Sequence, residues 1–499
     1  VAARRVTSST RRTRARLPAV QIDADVRRAG PDRTLLLGGS PTRLFRLTAA
    51  GAALLDRLGE GRAVDASDAQ AALVERWIDA GVLHPLPAVG QGPYGAQDVS
   101  VVVPVKDDAE GVQRLLASLA EHGVGDEPDG GTLGRVIVVD DGSADAAALA
   151  RVVHHAPLPG VELRRRERSG GPAAARNEGA ALAQSPLIVV LDSDCTVTHG
   201  WLAPLLAHFA DERVAVVAPR VQAAPSSHPH ANPVLAAYDL VRSPLDLGPA
   251  RAEVVPGTRV AYVPSAAFVV RTDRWHTLGG FDPSLRVGED VDLVWRAQDA
   301  GWRVRYEPSA MVHHEVRPTL GAWLAQRCAY GASAAPLEAR HPGRLAPAVL
   351  SPWSLVVWSL VAAGRADAAF ALAVATTVQL DRRLGDVPTA WSLRLGLGGH
   401  LAAGRQLAEA VVRVWWPAVA PAALVHRRAR RVLLGAAAWS VVSATLQARR
   451  RGTLAPGPWP RFAALVLADH AAYGAGVWRG AVRRRSARAL LPRLTRTRG

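Results

Sequence analysis

The chain predicts an α/β protein built on a doubly wound, mostly parallel sheet, and three observations carry that prediction. Apolar strand patterns alternate with helical ones from residue 98 to 191. Two of those strand patterns stop at paired acids, Asp140-Asp141 and Asp192-Ser193-Asp194. Strands alternating with helices are parallel neighbours whose ligands lie at the strands' carboxyl ends, so both acid pairs should fall on one sheet edge. Finally, a small module precedes a Pro/Gly linker and an Arg-rich apolar region follows the sheet, and 499 residues leave room for about three domains.

Residues 1–31 are basic and polar and are expected to form a flexible tail. Their opening, VAARRVTSSTRRTRAR, lacks the apolar core of an export signal. From 32 to 87, RTLLLGG and RLFRLT read as short strands. AAGAALLDRLGEG and SDAQAALVERWIDAGVL read as helices, the second capped by Ser67, with Leu73, Trp77 and Ile78 at helical spacing. Strand, strand, helix, helix at this size suggests a winged-helix-like binding module, and it contains no paired acids, metal-ligand spacing or nucleophile.

After the linker PAVGQGPYGAQ, DVSVVVPVKDD is a buried strand, GVQRLLASLAEHG an amphipathic helix, and RVIVVDDGS a second strand. LRRRERSGGPAAARNEGAALAQS gives a turn and a helix, and PLIVVLDSD a third strand. Carboxylates two residues apart can hold a divalent cation, although D-S-D alone is more often a solvated loop or helix-capping cluster.

The net charge of +16 is concentrated in the last ninety residues. From 410 to 499 there are 17 Arg against Asp469 alone, so the rest is close to neutral. Arg clusters at 427–431, 449–451 and 483–488 flank uncharged runs such as VLLGAAAWSVVSATLQA. Arginines bordering apolar segments suit anionic headgroups better than bases, so a membrane surface is the expected partner and nucleic acid is not. The uncharged LAPAVLSPWSLVVWSLVAAG, 345–364, is long enough to span a bilayer, while its prolines leave soluble packing or interfacial seating open. The expected location is the cytoplasmic side of the cell membrane. Cys195 and Cys328 form no disulfide framework or zinc site, which fits a reducing compartment.

VVVPVKDD, VVDDGS, GGPAAARNEGA, LDSD and GGFDPSLRVGEDVDLVWRAQDAGWRVRYEPSAMVHH occur in the motif order of a family 2 glycosyltransferase with a GT-A fold. The region 98–340 resembles that family, with a helical, hydrophobic region from 341 to 499 following it. The resemblance implies an inverting, metal-dependent hexosyl transfer from a UDP-sugar. It places Pro104, Lys106, Asp140 and Asp141 around the nucleoside, Arg176 near the base or diphosphate, and Asp192 on the ribose. Asp194 would hold Mg²⁺ or Mn²⁺ on the diphosphate, with His314 beside the metal. Glu289-Asp290 fills the family's E-D position, where Asp290 takes the proton of the acceptor hydroxyl. Helix capping is the competing account of these two acids. Glu289, Trp295 and Arg296 would face the acceptor.

QRCAY, 326–330, departs from the Q-x-x-R-W of processive members, so polymer extrusion is not expected, whereas a short chain is compatible. The 32–87 module resembles PqqD-like peptide-recognition domains. Joined to a family 2 transferase and a basic apolar tail, it is similar to the mycofactocin-system glycosyltransferases of actinobacteria. That similarity implies addition of glucose, as an oligosaccharide, to a peptide-derived redox cofactor or its precursor. A transferase acting on an envelope lipid or polysaccharide remains open. So does a non-catalytic peptide-binding scaffold, against which the intact Asp192, Asp194 and Asp290 speak.

Overall fold

In the computed structural model, which describes residues 15–61, 63–122, 132–450 and 459–495, the amino-terminal module begins earlier than its apolar pattern suggested. Strands β1 (Ala15–Leu17), β2 (Val20–Ile22) and β3 (Arg27–Ala29) fall inside the expected flexible tail, of which only 1–14 lies outside the described residues. The module is completed by β4 (Leu35–Gly38), β5 (Arg43–Arg46), α1 (Ala49–Leu58), β6 (Val64–Ala66), α2 (Asp68–Asp79) and β7 (Leu83–Pro85). β1 pairs with β6 and β2 with β7, which ties residues 15–22 to the module's end. Three-residue, Arg-rich strands offer no alternation to read, yet Leu17 and Val20 are buried with Leu55 and Trp77. Ser67 caps α2 as expected, in a reciprocal pair with Gln70.

The first half of the central sheet comprises β8 (Val99–Val105), α3 (Ala109–His122), β9 (Arg135–Asp140), α4 (Ala146–His154), β10 (Val161–Arg165), α5 (Pro172–Leu182) and β11 (Leu187–Leu191). Its strands are parallel, in the order β10-β9-β8-β11. Both faces are covered, with Val101, Leu115 and Phe209 on one side and Ile188, Phe268 and Leu293 on the other. A doubly covered strand must be apolar throughout, which is why VSVVVPV and LIVVL are so legible. The edge strand β10, VELRR, has no such constraint and was not expected.

Beyond β11 the sheet becomes mixed. β12 (Cys195–Val197), α6 (Ala203–Ala207), β13 (Val214–Ala224), α7 (Pro233–Arg242), β14 (Ala252–Glu253), β15 (Ala267–Arg271), α8 (Thr272–Leu278), α9 (Glu289–Asp299) and β16 (Arg303–Glu315) follow. The strand order continues β15-β13-β16-β12, with β15 antiparallel to both neighbours and β12 antiparallel to β16. The amino-terminal module docks at the start of β16. There the buried Arg303 meets Glu75 and Asp79 of α2, each at 2.6 Å, and Asp211 at 2.8 Å.

The carboxyl-terminal region comprises α10 (Leu320–Ala332), α11 (Ala334–Arg340), β17 (Val349–Leu350), α12 (Pro352–Ala362), α13 (Ala366–Leu384), α14 (Thr389–Ala410), α15 (Trp416–Val425), α16 (Arg427–Arg450), α17 (Trp459–Arg483) and β18 (Arg493–Leu494). The candidate span at 345–364 is divided, because β17 pairs with β18 and leaves an 11-residue helix, short of the roughly 20 residues a bilayer needs. Instead α14 runs through a π-helical turn, 411–415, into α15. Thr389–Val425 is the one stretch among the described residues long and apolar enough to cross a membrane. The region is joined closely to the sheet domain through α10. A Cβ on Gly331 would stand 2.0 Å from the Tyr473 carbonyl oxygen, and one on Gly476 2.0 Å from that of Cys328, so α10 and α17 meet backbone to backbone. Arg327 adds ion pairs to Asp239 at 2.6 Å and Asp469 at 3.5 Å.

Candidate active site

The site forms where β11 ends and the sheet changes direction. The Asp192 N–H donates to the Ala266 carbonyl at 3.0 Å, and the Ser193 hydroxyl donates to Asp108 at 2.8 Å, which fixes the D-S-D turn. The chain then re-enters the sheet as β12, with Cys195 opposite His314 in register. That register carries His314 Nε2 to 3.2 Å from Asp194 Oδ1. Arg317 reaches the other Asp194 oxygen at 3.6 Å. One ligand atom from each of Asp192, Asp194 and His314 lies within 4.8 Å of the others. Carboxylate oxygens with an imidazole nitrogen suit Mn²⁺ or Mg²⁺, so the residues fit the expected cation. Burial pushes the Asp194 carboxyl up, His314 opposes the shift, and Asp192 adds to it. A bound cation would relieve that crowding.

Arg176 joins the two acidic motifs. Projecting from α5 and almost fully buried, it donates to Asp192 at 2.5 Å and to Glu289 at 2.8 Å. Burial, then the charge of Asp290, lifts Glu289 to about 7 against the pull of Arg176. Gly288, at φ 88°, turns the chain into α9, a conformation that favours glycine. Asp290 follows in the first turn. One of its oxygens accepts from the Ser265 N–H at 3.1 Å and the other from the Val291 N–H at 2.7 Å. The second bond resembles helix capping, but the first comes from the segment entering β15 and fixes the carboxylate between two elements. Burial pushes the Asp290 carboxyl up, although both N–H groups and Arg176 oppose this. Tyr262 and Tyr330 lie close enough to feel its charge. Both phenols are raised, first by burial, and Tyr330 reaches about 12.

The three residues expected on the acceptor side are all engaged within the protein. Trp295 is buried, donates from its indole N–H to the Ala261 carbonyl at 2.8 Å, and packs edge-on to His341. Arg296 is committed to Asp292 at 2.8 Å and to the carbonyls of Leu278 and Gly280 at 2.6 and 2.7 Å. Glu289 faces Arg176 and the D-S-D turn. The face of α9 that carries these residues packs inward, because Asp292 at its centre is fully buried and held by Arg296, Arg340 and His341.

On the donor side, Asp140 accepts from the Ser143 N–H at 2.7 Å and pairs with Arg165. Asp141 accepts from the Ser169 hydroxyl and the N–H groups of Gly170 and Gly171, at 2.7 to 2.9 Å, and pairs with Arg166. Both carboxylates are engaged with protein donors, so they order the loops beside the strand ends, including the glycine turn that launches α5. Pro104 is buried in β8 opposite Val139, and Lys106 stands exposed just beyond that strand. Motif reading missed Asp108, Tyr262, Ser265, Arg317 and Tyr330. Asp108 was visible in VVVPVKDD and Arg317 lies three residues after His314. The others carry no local signal and are gathered only by packing.

Residues 100–267 match the description "Glycosyl transferase family 2", and 187–425 match "Glycosyl transferase family group 2". The pre-mycofactocin glycosyltransferase of Mycobacterium tuberculosis is 42% identical over 493 residues, covering 97% of this chain and 99% of its own. The chain belongs to the pre-mycofactocin glycosyltransferase family. Like that relative, this member of the pre-mycofactocin glycosyltransferases extends well beyond a family 2 core at both ends. The succinoglycan biosynthesis protein ExoO of Rhizobium meliloti, by contrast, is 32% identical over 235 residues, 46% of this chain and 63% of that one. A mannosyltransferase structure from Pyrobaculum calidifontis, in complex with GDP-Man and Mn²⁺, aligns with 18% identity and a TM-score of 0.42, covering 80% of this chain and 91% of that one.

Proposed function

We propose that this pre-mycofactocin glycosyltransferase moves a hexose, glucose, from a UDP-sugar to mycofactocin or its precursor, with inversion, and builds a short oligosaccharide. The observation carrying this reading is 42% identity over 97% of the chain to a pre-mycofactocin glycosyltransferase, together with the convergence of Asp192, Asp194, His314 and Asp290 on one sheet edge. Asp192, Asp194 and His314 would hold the divalent cation, which neutralises charge developing on the diphosphate leaving group. Lys106 meets the donor at the rim of the nucleotide site. Arg176 is a positioning residue that fixes Asp192 and Glu289 from behind. Asp290, oriented by two N–H groups and raised by burial, accepts the proton of the attacking hydroxyl. A single displacement opposite the diphosphate inverts the anomeric centre. Tyr262 and Tyr330, not Trp295, border the acceptor side of Asp290.

The amino-terminal module acts as a PqqD-like peptide binder. It docks at Arg303 of β16, which pairs with Val214 as His314 pairs with Ala223 nine residues further along β13, a span of roughly 25–30 Å. It therefore tethers the acceptor at a distance from the chemistry. The enzyme works at the cytoplasmic membrane surface. Thr389–Val425 lies along the interface, because Arg413 within it packs 3.8 Å over the Tyr473 ring and anchors the helix to the body. Purified enzyme, UDP-glucose and the peptide-derived acceptor should give products heavier by whole hexose units in mass spectrometry. Exclusive labelling of an envelope lipid fraction would replace this acceptor assignment.

A further inference from the structure

A groove enclosing about 1000 Å³ opens between α12, α14 and α16, away from the acidic sheet edge. It reaches the upper end of the roughly 300–1,000 Å³ typical of ligand pockets. Its walls are largely aliphatic, with Trp358 and Trp439 among them. Arg405, Arg428 and Arg431 also line it, all exposed, and no Asp or Glu does. The Arg405 guanidinium lies 5.5 Å from the Trp439 ring centroid, so that cation sits directly beside the apolar wall. Apolar surface reaches the opening and continues beyond it: the lining residue Leu401 is 57% exposed and Leu434 on α16 is 63% exposed. Glycine shapes the interior. Gly404 allows Trp358 to lie against α14, since a Cβ there would come within 2.0 Å of the indole, whereas a Cβ on Gly435 would meet nothing within 4 Å. The groove therefore has an apolar interior, a cationic margin, and unfilled space at a defined point.

We infer that this groove binds one acidic glycerophospholipid of the membrane, with acyl chain along the aliphatic walls and phosphate among Arg405, Arg428 and Arg431. Charge complementarity favours this occupant. A neutral peptide or the apolar face of another protein would leave three cations beside the apolar wall without counter-charge, and a soluble phosphate would leave the walls bare. The inference rests on the membrane-surface reading above and narrows it to one site and one lipid class.

The test uses the full-length protein and vesicles of phosphatidylcholine alone or with phosphatidylglycerol. Flotation should require phosphatidylglycerol, and native mass spectrometry of detergent-extracted protein should show one retained phosphatidylglycerol. Arg428→Ala/Arg431→Ala should lower partitioning roughly 30-fold, from about 1 kcal/mol per basic residue at an anionic surface. Gly435→Trp fills the open space without a backbone clash, so it should abolish the retained lipid while flotation persists. Retention of lipid by the Gly435→Trp protein, or equal flotation on neutral vesicles, would overturn the groove assignment and leave membrane association standing. Failure of the wild type to float on either vesicle would overturn both readings. A concentration-dependent dimer lost in Gly435→Trp, with no lipid retained by the wild type, would assign the groove to a second copy.

Discussion

The two ends of β16 carry clusters of the same kinds of side chain with unequal charge balance. At the start, Arg213, Arg303 and Arg305 face Glu75, Asp79, Asp211 and Glu253, three guanidiniums against four carboxylates. At the end, Arg176 and Arg317 face Asp108, Asp192, Asp194, Glu289 and Asp290, two against five. Burial pushes Glu253 and Glu289 each to about 7, which brings the first cluster close to neutrality and leaves the second negative. A cluster that joins two parts of a protein completes its own charge. The cluster at the end of β16 keeps an excess of carboxylates, which the proposed cation and acceptor proton would offset.

The contrast can be broken at either end. The largest effect is expected from Asp194→Ala, which should reduce transfer below detection and weaken nucleotide-sugar binding, with EDTA reproducing the loss in the unmutated protein. Full activity in excess chelator would contradict a cation-dependent site. Next, Asp290→Asn should lower kcat by roughly 10² to 10⁴ while the donor Kd holds. The pH profile sharpens this point. Asp290 must be ionised to act and its pKa is raised, so kcat should fall with decreasing pH at a value above the ordinary carboxylate range. An acid limb near 4, or none, would remove Asp290 from the proton transfer.

Removing residues 1–89 should separate binding from chemistry. Arg303 would lose two of its three carboxylates, so Tm should drop, but donor hydrolysis per folded molecule should survive while transfer to the peptide-derived acceptor fails. A parallel decline of the two activities would make the module a stabiliser alone. The smallest effect on catalysis belongs to Arg303→Leu. It should cost about 2–3 kcal/mol of stability, below the 3–5 kcal/mol of a fully buried pair because Glu75 and Asp79 are nearly half exposed. Its kcat should be unchanged. A loss of kcat in Arg303→Leu would mean that the two clusters communicate along the strand.

Much of the site was legible because chemistry interrupts pattern. β9 and β11 are buried and end abruptly in acids, so Asp140, Asp141, Asp192 and Asp194 stood out at once. The choice of His314 over His313 has a physical basis in the alternation of β16: His314, opposite Cys195, is the one that reaches Asp194. The inward packing of Trp295 and the anchoring of Arg296 are not legible in the sequence, because helical periodicity states which residues share a face but not what the face meets. Asp192 and Glu289 were assigned to different sides of the reaction, yet Arg176 binds both, a relation across 113 positions that no local window contains. The amino-terminal strands stayed hidden because three residues are too few to show a period, and the divided span at 345–364 because composition does not register a β-bridge.

The backbone contact between α10 and α17 also sets the order in which the molecule can be made. Tyr330, beside Asp290, belongs to α10, while Tyr473, whose carbonyl lies under Gly331, belongs to the last long helix. The intervening chain must leave the ribosome before the second can meet the first, and closing so long a loop carries an entropic cost that no earlier contact between these helices offsets. A nascent chain can thus pair its central strands and collect its acidic cluster well before the wall beside Tyr330 is supported. Messages truncated between β16 and α17 would yield chains that hold Asp192, Asp194, His314 and Asp290 but lack the helix that supports Tyr330.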